Sequence, residues 1–138
     1  MNGFFLDTSA LLCLRDDEPG ADRVAELLTR SGKHEIQCFA SFISQMEVFY
    51  RVWKDEGEAE GRLAYEQLQA LPIAWAHESK PLLEKAAAVK ARHRLSLADA
   101  WIAAGAVLQQ AVLVHKDPEF RALDMDQELL PLKPVTGR

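Results

Sequence analysis

A chain of 138 residues, 49% of them hydrophobic, has material for a single domain, residues 1–138, built around one core. Its net charge of −5 argues mildly against a protein that coats nucleic-acid phosphates by charge alone, and none of its apolar runs is long enough to span a bilayer. The N-terminal MNGFFLDTS has no basic stretch ahead of its apolar residues, so no signal peptide and a cytoplasmic location are expected. Cys13 and Cys38 lie in apolar stretches without metal-type spacing and are expected to be buried, reduced thiols.

In chain order, residues 3–6 read as a short buried strand and 8–15 as a short helix, followed by a turn at 16–20. Val24, Leu27 and Leu28 keep helical spacing through 21–30. A strand is expected over 36–43 and a helix opening at Ser44, with Met46, Phe49, Tyr50 and Trp53 at i, i+3, i+4 and i+7 as its core stripe. A polar break at 54–57 precedes a helix over 58–71, which Pro72 stops. Residues 73–75 read as a strand and 82–94 as an alanine-rich helix. The helix over 96–109 is apolar on nearly every side and so should be central. Strands are expected over 111–114 and 128–132. Strands alternating with helices indicate an α/β domain with a mostly parallel sheet, in which ligands bind beyond the carboxyl ends of the strands.

Four acids stand at the ends of apolar segments: Asp7 in FFLDTSALL, Glu47 in FISQMEVFY, Asp99 in LSLADAWIAA and Asp117 in VLVHKDPEF. Each has an ordinary explanation. Ser44–Glu47 and Ser96–Asp99 fit the capping-box template. Asp7 suits the N-cap of the helix it precedes, and Asp117 caps a turn with Pro118 as first helical residue. Capping does not require Asp99 to sit amid Leu95, Leu97, Trp101 and Ile102, nor Glu47 to stand beside a core stripe. A carboxylate in apolar surroundings is costly unless paired or holding a cation, and four gathered in one pocket repel one another unless a cation sits among them. Oxygen-only sets of this kind suit magnesium or manganese.

The four motifs resemble those of PIN-domain ribonucleases, and specifically of the VapC toxins of bacterial toxin–antitoxin pairs. FFLDTSALL is similar to the opening strand–Asp–Thr–Ser motif, SQMEVFYR to the second, LSLADAWIAAGA to the third and VLVHKDPEF to the fourth, in family order and over almost the whole chain. The resemblance implies a three-layer α/β/α sandwich and a Mg²⁺- or Mn²⁺-dependent endoribonuclease that cleaves RNA with metal-activated water. It also implies a homodimer and a cognate VapB-like antitoxin that covers the acidic pocket. Asp7, Glu47, Asp99 and Asp117 carry over as metal-binding, catalytic carboxylates. Ser9 would touch metal-bound water or a phosphate, and Glu119 stands where relatives place a further acid. His115 departs from the family, which more often has Thr or Ser there.

Arg51, Arg94 and Lys116 are candidate RNA contacts. Against them stand an ordinary Glu47–Arg51 ion pair and the favourable placement of cations such as Arg94 near a helix C-terminus. His115 could move protons or simply hydrogen-bond at its strand end. Trp53, Trp75 and Trp101 are expected in the core, and Gly105 is expected to permit close packing. A nuclease of RNA processing outside any toxin pair, and a non-catalytic PIN-like binding module, are the competing readings. A phosphatase of the haloacid-dehalogenase type would want a second Asp two residues after Asp7, where Ser9 stands, and no Gly-rich phosphate loop is present.

Overall fold

Five strands form one parallel sheet in which the first strand along the chain is central, flanked by the second and then the third on one side and by the fourth and then the fifth on the other. The computed structural model describes residues 2–134. Along the chain run β1 (Gly3–Leu6), α1 (Thr8–Arg15), α2 (Ala21–Gly32), β2 (Gln37–Ser41), α3 (Phe42–Glu56) and α4 (Glu58–Gln69). They are followed by β3 (Ala74–Ala76), α5 (Lys80–Arg92), α6 (Leu97–Leu108), β4 (Val112–His115), a 3-10 helix (Pro118–Ala122) and β5 (Gln127–Leu129).

Strand alternation divides the core between the two faces of the sheet. Leu6, Cys38, Ala40 and Val114 face α1 to α4, packing with Leu11, Val24, Leu27, Val48 and Leu68. Phe5 and Leu113, with the half-buried Phe39, point the other way onto Ile102, Ala103 and Ala106 of α6. The result is the expected α/β/α sandwich. Gly105 brings α6 against the sheet. A Cβ there would stand 2.5 Å from Cζ of Phe5, so the Phe5 ring occupies the space a side chain would take.

Three expectations change. The helix after β2 starts at Phe42, capped by Ser41, whose hydroxyl accepts from the Ile43 N–H at 3.2 Å. Ser44 is therefore inside the helix and fully buried, and no capping box joins it to Glu47. The buried stripe of α3 is Ser44, Val48 and Val52, while Met46, Tyr50 and Trp53 are 54%, 45% and 45% exposed. Both stripes repeat at helical spacing, so periodicity alone does not choose between them. Packing chooses: the small and β-branched residues face α1 and α4, where Ser44 meets Thr8 and Val48 lies near Leu11, Ala64 and Leu68, and Phe49 stacks on Tyr65 of α4 with ring centroids 5.0 Å apart. Trp53 is thus not a core residue, whereas Trp75 and Trp101 are half-buried. Both cysteines are free and buried, as expected.

Candidate metal centre

The carboxyl ends of β1 and β4, adjacent in the sheet, set the position of the site. Asp7 follows β1 directly and caps α1, its Oδ1 accepting from the Ala10 N–H at 2.8 Å and from the Ser9 hydroxyl at 2.7 Å. Both bonds fall on one oxygen, and among the described residues Oδ2 has no hydrogen-bond partner. The residue is 3% exposed. Burial, reinforced by the charges of Asp99 and Asp117 and opposed by the two hydrogen bonds, pushes its carboxyl up to about 7.

Asp99 lies in the first turn of α6, where Ser96 caps the helix by accepting the Asp99 N–H at 3.1 Å. Burial, then the charges of Asp117, Glu47 and Glu119, push its carboxyl up to about 6. Asp117 caps the 3-10 helix through Oδ1, which accepts from the Glu119 N–H at 2.9 Å. Asp99, Asp117 and Glu119 each offer a carboxylate oxygen within 4.8 Å of the others'. Glu119, read from sequence only as an accessory, is therefore in the tightest grouping. Asp7 and Glu47 stand outside it but close enough for their charges to act on Asp99 or be acted on by it.

Glu47 is held by a pair of hydroxyls. The Thr8 hydroxyl lies 2.6 Å from Glu47 Oε1 and 2.8 Å from the buried Ser44 hydroxyl. With the Thr8 proton on Glu47, Ser44 donates to Thr8, and the chain Ser44–Thr8–Glu47 is satisfied throughout. Sequence reasoning missed Thr8 and Ser44 in this role, because their partners are 36 and 39 residues away. Ser9 does not face outward as a free hydroxyl. It donates to Asp7 and accepts the Lys116 N–H at 3.0 Å, tying β4 to the start of α1.

Of the expected RNA contacts, Arg51 is 46% exposed in its side chain, with Nη2 3.8 Å from Glu47 Oε2, at the edge of the acidic site. Arg94 is exposed in the segment between α5 and α6. Lys116 is turned away: its side chain is 9% exposed and its ammonium binds Glu18 at 3.4 Å and the Pro19 carbonyl at 2.9 Å. It fastens β4 to the α1–α2 turn and is not available to a phosphate. His115 is 1% exposed, and burial holds its imidazole below the ordinary range. A neutral, enclosed ring does not relay protons to solvent.

The arrangement gathers carboxylates, two of which resist ionisation in the absence of a cation. An all-oxygen set with a free Asp7 oxygen is chemistry that fits a hard divalent cation such as Mg²⁺ or Mn²⁺.

Residues 4–125 match the family model described as PIN domain. No curated protein sequence matches the chain. Solved structures share its fold. Against "VapBC2 from Rickettsia felis bound to a DNA fragment from their promoter" the identity is 15%, with a TM-score of 0.76, covering 94% of this chain and 99% of that one. For DNA-bound VapBC from Salmonella typhimurium the identity is 17%, the TM-score 0.74 and the coverage 93% and 98%. For Mycobacterium tuberculosis VapC20, described as a sarcin-ricin loop cleaving toxin, the identity is 20%, the TM-score 0.71 and the coverage 93% and 99%.

Proposed function

The chain belongs to the PIN-domain family, and from that premise we propose that it is a Mg²⁺- or Mn²⁺-dependent endoribonuclease of the VapC toxin type, held in check by a cognate VapB-like antitoxin. The observation that carries this reading is the convergence of Asp99, Asp117 and Glu119 within 4.8 Å of one another, beside the buried Asp7. So much like charge in so little space is unfavourable without a cation, and the burial that raises Asp7 and Asp99 is offset when a cation binds.

Asp7, Asp99, Asp117 and Glu119 would hold the cation, with Glu47 completing the acidic wall. Bound there, a divalent ion supplies water activation and charge neutralisation for phosphodiester hydrolysis. The chain's own residues do the positioning. Ser9 and the Ala10 N–H fix Asp7 through one oxygen and leave the other free for the site. Thr8 aims Glu47. Arg51, anchored loosely by Glu47, is the cation at the rim that meets an RNA phosphate, with Arg94 as a second contact. An antitoxin would fit the same site by presenting a basic side chain to these carboxylates.

A homodimer is part of the proposal. Met46 and Tyr50 of α3, Leu83 of α5 and Leu97 of α6 are 54%, 45%, 48% and 68% exposed. Apolar side chains exposed together in this way are typical of surfaces that associate. No helix among the described residues is long and apolar enough to cross a membrane. A cytoplasmic location remains part of the reading, since RNA is met there.

The test is cleavage of total RNA and of tRNA by wild-type protein and by Asp99→Asn, with Mg²⁺ or Mn²⁺ and with EDTA. Discrete fragments from wild type alone, lost with EDTA, are the expected result. Equal cleavage by both proteins would contradict the assignment.

A further inference from the structure

Asp117 and Glu119 reach Asp99 from a loop that leaves β4 and returns as β5, and the loop is closed by two side chains outside the acidic cluster. His115 Nδ1 accepts the Asp117 N–H at 3.0 Å. A ring nitrogen that accepts carries no proton, so the proton is on Nε2, which is 2.9 Å from Gln127 Oε1 and donates to it. The orientation of the Gln127 amide follows: its oxygen faces the imidazole, and its Nε2 donates to the carbonyls of Phe120 at 2.7 Å and Leu123 at 3.2 Å. Between them, the two side chains meet the loop at Asp117, Phe120 and Leu123, and each bond requires the same tautomer and the same amide orientation. The imidazole also packs edge-on to Phe120, centroids 4.9 Å apart, so the loop closes over a fully buried ring.

We propose that His115 and Gln127 are positioning residues that set the Asp117 and Glu119 carboxylates opposite Asp99, and so set the affinity of the site for its divalent cation. The inference rests on the metal reading of the acidic cluster. Neither side chain has to touch the cation. They act through the backbone of the loop, as partners behind metal ligands do. Buried His115 takes an N–H acceptor role toward the residue two positions on, and Gln127 joins from the neighbouring strand. The site would thus depend on a residue ten positions beyond Asp117 that carries no charge.

The test is Mn²⁺ titration followed by electron paramagnetic resonance of free Mn²⁺, together with thermal melting without metal. The proteins are wild type, Gln127→Met, His115→Leu, His115→Asn and Val24→Ala. Val24→Ala removes buried volume between α2 and the sheet and reports what lost stability alone does. Asn carries an acceptor the same number of bonds from the backbone as Nδ1, so it can keep the Asp117 N–H bond. Gln127→Met and His115→Leu should weaken Mn²⁺ binding about tenfold, the low end for lost partners of metal ligands. His115→Asn should recover much of that loss, and Val24→Ala should bind as wild type does. If His115→Leu does not fold, Gln127→Met, at a half-buried position, carries the comparison. Saturable binding by wild type with unchanged affinity in Gln127→Met would overturn the proposal, as would an equal loss in Val24→Ala. Absence of saturable Mn²⁺ binding by wild type would instead overturn the metal reading, and this inference with it.

Discussion

Asp7→Asn should make the metal-free protein more stable while removing its activity. The amide oxygen of Asn can keep both bonds now made by Oδ1, from the Ala10 N–H and the Ser9 hydroxyl, so the cap of α1 survives. What is lost is a charge that folding buries. The Asp7 carboxyl rises from 3.8 to about 7 on folding, about three pH units at about 1.36 kcal/mol each, or about 4 kcal/mol at pH 8. A raised carboxyl binds its proton in the folded state while the unfolded chain has already released it. Stability is therefore full below about pH 4 and falls as pH rises toward 7. Asn has no such dependence. Denaturant unfolding in EDTA should show Asp7→Asn more stable than wild type by about 1–4 kcal/mol at pH 8, with the gap closing at pH 4. Mn²⁺ held at about 100 times its Kd should close most of that gap, because it adds about 2.7 kcal/mol to the protein that binds it and nothing to one that does not. A variant less stable than wild type at pH 8 in EDTA, or a gap of equal size at both pH values, would refute the reasoning.

Thr8→Val keeps the shape but removes the hydroxyl between Ser44 and Glu47; unfolding should show a loss of about 1–3 kcal/mol, and cleavage assays about a tenfold fall. Gly105→Ala would drive a methyl to 2.5 Å from Phe5 Cζ, and melting should report overpacking of about 1–3 kcal/mol. Lys116→Met breaks the bonds to Glu18 and Pro19; it should lower stability and leave the KM for RNA unchanged, since its ammonium is turned away from the acidic site. Arg51→Ala, at the exposed rim, should raise KM several-fold with little change in kcat, as removal of uniform substrate binding does.

The gathering of Asp7, Asp99 and Asp117 was legible in the chain: Asp7 and Asp117 follow strands whose carboxyl ends the α/β pattern assigns to the ligand-binding edge, and Asp99 stands in the first turn of a helix amid apolar residues. Their capping roles were legible for the same local reason. In Asp7 the cap takes one carboxylate oxygen and leaves the other free. For Glu47 the capping-box alternative fails: the cap is Ser41, and the hydroxyl bonded to Glu47 is that of Thr8, from another element. Long-range pairs of this kind leave no periodicity to read. The same limit hid Gln127 and turned Lys116 from an expected RNA contact into a strut. The outer face of α3 was misread because Met46, Tyr50 and Trp53 repeat as regularly as Ser44, Val48 and Val52, and only packing distinguishes the two stripes.

The central claim is that a divalent cation sits among Asp99, Asp117 and Glu119 with Asp7 at hand. Anomalous diffraction at the manganese edge, from crystals of wild type and of Asp99→Asn grown with Mn²⁺, addresses it most directly. The account predicts a strong peak enclosed by those carboxylates in wild type and its loss in the variant. A wild-type peak elsewhere, or one undiminished in Asp99→Asn, would contradict it.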